Sequence, residues 1–242
     1  MRSRRTFIQR SGLLALGMFS RVAVPQQQPN PAPLPKGIGT EPDFDGPIPS
    51  LSGELGKYPA LKAEQQTART ILGKAPTRPS PIAVAEYFVA VGRGDYGDDW
   101  KPYIMGWPER WNPVIVTFFQ ATNTNPEGDL TSWCAAFLNW CFQQTTGLPA
   151  TKSASSGSFR QFGQKTASPQ KGDIVVFKST DVAQASAGHG HVGFFVQDYG
   201  DAVEVLGGNQ IDGRARSHMI NSKRLAKNGP NLVLHSYRSQ VG

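Results

Sequence analysis

Two cysteines, four histidines and a few well-placed amides are the groups in this 242-residue chain that could carry nucleophilic or metal chemistry. Cys134 opens the apolar run Cys134-Ala135-Ala136-Phe137-Leu138-Asn139-Trp140-Cys141, directly after Thr131-Ser132-Trp133. If this run is a helix, Cys134 sits in its first turn, where the peptide dipoles and unsatisfied amide protons favour thiolate over thiol. Cys141 lies seven residues further on, about 10 Å along the axis at 1.5 Å per residue. A disulfide needs Cα atoms within roughly 7 Å, so the two cannot pair inside one helix. Between Trp140 and Phe142, Cys141 reads as a small buried apolar group. A nucleophilic thiol needs a base, and His191, at the head of the strand-like run His191-Val192-Gly193-Phe194-Phe195, is the candidate. Asn209, just beyond the following strand-like run, can hold the imidazole in one orientation. The order Cys, His, Asn therefore points to covalent acyl chemistry. The zinc alternative fails on spacing, since two cysteines seven apart on one helix cannot both reach a single ion at about 2.3 Å. Neither a cofactor nor a metal is expected.

The elements that must position these groups can be read around them. Leu61, Ala68, Ile71 and Leu72 share a helix face that ends at Gly73, and Ser80-Pro81 opens a second helix carrying Ile82, Ala85, Phe88 and Val89 and closing at Gly92 and Gly94. Asn112-Pro113 starts a third, 114–120, by the same cap-then-proline logic. The fourth, from Thr131 or Ser132 to about Gln144, is apolar nearly all round and belongs mid-domain, with its first-turn residue facing outward. Strands are expected over 172–177, 191–197, 202–206 and 232–237, the middle two as a hairpin that ends at Gly207-Gly208. Helices first and antiparallel strands after gives an α+β fold, with the Cys134 helix buried on one sheet face. Among other polar residues, Glu204 alternates with Val203 and Val205 and reads as a solvated strand residue, though it is a second candidate for orienting the imidazole. His189 reads as a loop residue between glycines, and His218 and His235 have no partner pattern. Trp107, Trp111 and Trp133 are read as core before substrate contacts.

Four segments, Ser132-Trp133-Cys134-Ala135-Ala136-Phe137, Gly172-Asp173-Ile174-Val175-Val176-Phe177, Gly190-His191-Val192-Gly193-Phe194 and Gly208-Asn209-Gln210, resemble in order and spacing the CHAP and NlpC-type cysteine amidohydrolases of bacterial cell walls. The resemblance covers roughly 113–238. It implies a papain-like core, Cys134 as nucleophile, His191 as base and Asn209 as the residue orienting it, the third position being the one that varies within the family.

The rest of the chain concerns delivery. The formal charge of +7 suggests an anionic partner until its location is considered, because Arg2, Arg4, Arg5, Arg10 and Arg21 all precede Pro25 and no acidic residue does. Without residues 1–24 the balance falls to 20 basic against 18 acidic residues, which removes the case for nucleic acid. Ser3-Arg4-Arg5-Thr6-Phe7-Ile8, followed by a short apolar run, resembles a twin-arginine export signal, too short to span a bilayer that needs about 20 residues. Eight prolines between Pro25 and Pro49 mark a tether over 25–57. The expected organisation is a signal over 1–24, the tether, a helical part over 58–125 and a catalytic core over 126–240. The expected function is hydrolysis of an amide in peptidoglycan outside the cytoplasm, after passage through the twin-arginine machinery and without stable membrane insertion. An inactive wall-binding module and a secreted protein-directed peptidase are the alternatives.

Overall fold

The computed structural model describes residues 58–126, 128–212 and 217–240. The expected export signal over 1–24 and the expected tether over 25–57 lie outside the described residues.

The four helices expected from sequence form where their local signals put them. Helix α1 covers Lys62–Gly73 and α2 covers Pro81–Arg93, the latter begun by its N-terminal proline and stopped by Gly94 at φ 94°. Helix α3, Pro113–Phe118, is capped by the Asn112 side chain, which accepts from the amides of Val114 and Ile115. Such a cap contributes about 1 kcal/mol. Helix α4, Cys134–Thr146, ends at Gly147 in the left-handed conformation. A short 3₁₀ turn, Asp98–Ile104, links α2 to the segment before α3, and another, Ser156–Gln161, follows α4.

The strands are β1 (Gln164–Thr166), β2 (Ile174–Ser179), β3 (Gly190–Asp198), β4 (Ala202–Asp212), β5 (Ser217–Ala226) and β6 (Leu232–Ser239), with the one-turn helix α5 (Val182–Ser186) between β2 and β3. They form one six-stranded antiparallel sheet in the order β1-β6-β2-β3-β4-β5. This is the expected mixed α+β architecture, helices preceding the sheet. The short strand β1 and helix α5 are not expected from the sequence, and two further details differ from it. Gly207-Gly208 does not end β4, which runs on through a register shift between Gly207 and Gln210. Strand β5, rich in Ser, Asn, Lys and Arg, carries no apolar alternation strong enough to announce it and is recruited by pairing with β4.

Period-2 alternation divides the sheet into two faces. Ile174, Val176, Val192, Phe194 and Leu206 join the main core with α2 and α4, while Val175, Phe177, Phe195, Val203 and Val205 form a second cluster. Phe142 of α4 stacks on Phe194 of β3 at 6.3 Å between centroids, Phe88 of α2 meets Phe118 of α3 and Phe137 and Trp140 of α4 edge to face, and Phe118 packs on Phe137 and Trp140 at tilted angles. Helix α4 is thus enclosed, with nine of its residues buried from Cys134 to Phe142. Among the described residues no helix is long and apolar enough to cross a membrane.

Candidate active site

Cys134 is the first residue of α4, preceded by Trp133 as N-cap, so its backbone amide lies at the positive end of the helix. The residue is fully buried rather than facing outward, as are Trp133, Ala135 and Phe137 around it. Cys141 is also buried and no disulfide involves either cysteine. Burial pushes the Cys141 thiol well above its ordinary value, which keeps it protonated and inert.

His191 stands near the start of β3, opposite Phe177 of β2, and is 5% exposed. Burial, the largest cause, pushes its imidazole down to about 4, assisted by the positive charge of Lys223 and by His218 and opposed by hydrogen bonding to the Gln210 side chain. The ring is therefore neutral at pH 7, as a general base must be. The imidazole borders the Gly207-Gly208 pair: a Cβ on Gly207 would lie 3.5 Å from Nε2. The first turn of α4 borders the same pair, since a Cβ on Gly208 would fall 2.4 Å from the Trp133 ring and 3.0 Å from Phe137 Cβ. The two glycines leave β4 bare on both sides where the histidine and the helix start approach it.

The bulge in β4 decides which amide faces the imidazole. Gln210 is buried, and its Nε2 donates to the carbonyls of Val205, Gly207 and Asn221 and to Asn221 Oδ1, at 2.7–3.3 Å. With Nε2 so engaged, the oxygen Oε1 remains for the ring. His191 Nε2 and Gln210 Oε1 are both buried and neither makes a well-aligned hydrogen bond, so Gln210 lies against the ring without closing a tight contact in this conformation. Asn209 has φ 59°, a conformation asparagine tolerates better than most residues, and its backbone carbonyl lies 3.3 Å from His218 Nδ1. The polar side chain acting on His191 is that of Gln210, one residue beyond Asn209. Burial also lowers the His218 imidazole, whose Nε2 is buried with no hydrogen-bond partner. Glu204 is turned to Tyr199 and Ser222, whose hydroxyls donate to it at 3.0 and 2.7 Å.

Sequence reasoning passed over Asp129. Five residues upstream of Cys134, its buried carboxylate accepts from the amides of Trp107 and Asn112 at 2.9 and 3.0 Å and so fastens the 107–112 segment. Asn112 in turn donates to the carbonyls of Tyr103 and Met105. Burial outweighs the stabilising amide contacts and raises the Asp129 carboxyl to about 6. The only sequence signal for it is an acid just before the Thr-Ser-Trp-Cys entry to α4. Trp133 is core, Trp107 packs on the core with its indole nitrogen donating to the Pro102 carbonyl, and Trp111 covers Gly128.

The family model of the CHAP domain matches residues 121–209, a span that begins beyond α3 and ends in the β4 bulge, and so contains Cys134, His191 and Asn209. This bears out the resemblance to CHAP and NlpC-type papain-like cysteine amidohydrolases, and with it the general class of cell-wall-directed hydrolase domains. No curated protein and no solved structure matches the chain.

Proposed function

We propose that the protein is a cysteine amidohydrolase that cleaves an amide bond of peptidoglycan outside the cytoplasm. What supports this reading is a buried, neutral imidazole and a cysteine at a helix N-terminus whose surroundings border the same Gly207-Gly208 pair, inside the span matched by the CHAP model. His191 takes the proton of Cys134, and the thiolate attacks the substrate carbonyl. The Cys134 amide, at the positive end of α4, helps to hold the oxyanion, and the imidazolium protonates the leaving amine. Water then attacks the thioester, with His191 again as base, and the acid product leaves. The neutral ring needs an acceptor for its second nitrogen: Asn209 is the candidate from the sequence pattern, Gln210 the candidate from the contact with the ring. If Nε2 donates to Gln210 Oε1, Nδ1 is the basic nitrogen left for the thiol.

Incubation with purified sacculi should release new amino groups, and Cys134→Ala should abolish the release while leaving the fold intact. Equal release by the two proteins excludes the mechanism. The complete burial of Cys134 favours a second reading, a wall-binding module of the same fold; it predicts retention on sacculi with no release from the unmodified protein.

A further inference from the structure

A polar concavity lies away from Cys134 and His191. It is a groove of about 590 Å³ at the end of β2 and β6, walled by Arg160, Lys178, Ser179, Ser186, Asn228 and His235, with no acidic side chain in its lining. Its cations are placed in different ways. The Arg160 guanidinium is fixed, Nη1 donating to the Ala185 carbonyl at 2.6 Å and Nη2 to the His189 carbonyl at 3.0 Å, while its Nε is buried without a hydrogen-bond partner. Lys178 is exposed, and among the described residues neither it nor Arg160 is held by an ion pair with a carboxylate. The Ser179 hydroxyl accepts from the Asp181 amide and keeps its own proton to give. His235 is kept neutral by burial and then by Arg160, Arg238, Lys178 and Lys165, with no carboxylate opposing them, so it contributes a hydrogen bond to a field made by the others.

Fixed guanidinium, uncompensated lysine and spare hydroxyl and amide donors around one concavity are the chemistry of oxyanion recognition. We infer that this groove is a second binding site, separate from the Cys134–His191 centre, that takes an oxyanion of the cell-wall polymer, a peptide carboxylate or a phosphodiester. The identity of the polymer rests on the proposed function; the anion site itself does not. Because Arg160 also holds the His189 carbonyl, two residues before the proposed base, an occupant of the groove lies beside the strand end from which His191 projects. The groove would anchor a charged part of the polymer while a neutral amide is presented to the thiol.

The test uses the full chain. Titration with inorganic phosphate and, separately, with N-acetyl-D-alanine at constant ionic strength, followed by ¹H–¹⁵N NMR, should give saturable shifts confined to the amides of 178–186 and 228–235. Lys178→Glu, at an exposed position, should weaken that binding about tenfold or more by turning attraction into repulsion, and Lys178→Gln should weaken it less. Linear shifts without saturation, or unchanged affinity in Lys178→Glu, overturn the assignment. The source is read from retention of the Cys134→Ala chain on sacculi. Loss of retention after hydrofluoric acid removes phosphodiesters identifies phosphate, and loss after methyl esterification identifies carboxylate. Retention insensitive to both treatments and to Lys178→Glu overturns the site. Since retention is measured without cleavage, the groove can stand if hydrolysis fails, and hydrolysis by the unmodified protein can stand if the groove fails.

Discussion

Asp129 and His191 are buried titratable groups displaced in opposite directions, and replacing Asp129 by Asn exposes the opposition. The Asp129 carboxyl is raised from 3.8 to about 6, so the folded protein binds its proton at a pH where the unfolded chain does not. Its contribution is most favourable below about 3.8 and is lost as pH rises through 6, a change of about 3 kcal/mol. The His191 imidazole is lowered from 6.5 to about 4, so here the unfolded chain binds the proton first. Its contribution is present above about 6.5 and is lost as pH falls towards 4, again about 3 kcal/mol. Between pH 6 and 4 the two slopes nearly cancel. Asp129→Asn keeps a side-chain oxygen for the Trp107 and Asn112 amides but removes the titration, leaving His191 unopposed. Urea unfolding followed by circular dichroism at pH 7, 6, 5 and 4 should show the variant losing about 2–3 kcal/mol relative to the parent between pH 7 and 4. His191→Gln should shift by a similar amount in the opposite sense. Comparison within each pair cancels the surface carboxylates common to both proteins. Parallel stability curves for parent and Asp129→Asn would refute the claim that this buried carboxyl sets the acid behaviour.

Further outcomes follow from the site. In the native protein Cys134 should react with iodoacetamide only through local opening, at a rate nearly independent of low urea, whereas Cys141 should react only through global unfolding, at a rate that climbs steeply with urea; equal urea dependence contradicts the placement of Cys134 at the helix start. Gly208→Ala places a methyl 2.4 Å from the Trp133 ring and should cost about 1–3 kcal/mol, read as a lowered urea midpoint, while Gly207→Ala meets only ordinary contacts and should cost less. If Gln210 orients the base, Gln210→Ala should lower kcat on sacculi about tenfold or more and Asn209→Ala should lower it less; the reverse order assigns the role to Asn209. The acid limb of kcat/KM should lie near 4 in the free enzyme rather than near the 6.5 of an ordinary imidazole, and a limb at 6.5 contradicts the burial of His191.

The main helices, which depend on a few neighbouring residues each, were legible in the sequence. Asn112-Pro113 and Ser80-Pro81 mark helix starts, Gly94 and Gly147 mark helix ends, and the apolar girth of Trp133 to Phe142 announces a buried helix with a cysteine in its first turn. These signals act over one or two turns, so tertiary contacts had little to add. The alternation of β2 and β3 likewise dictates which of their side chains share a face. What the tertiary structure alone decided depends on pairing between distant segments. Strand β5 exists because β4 offers it a partner, and the register shift at Gly207–Gln210 moves a different amide against His191 from the one that simple position suggests. The burial of Cys134 and the raised carboxyl of Asp129 come from packing by segments tens of residues away. An amino-acid type does not carry its own desolvation; the surrounding fold supplies it.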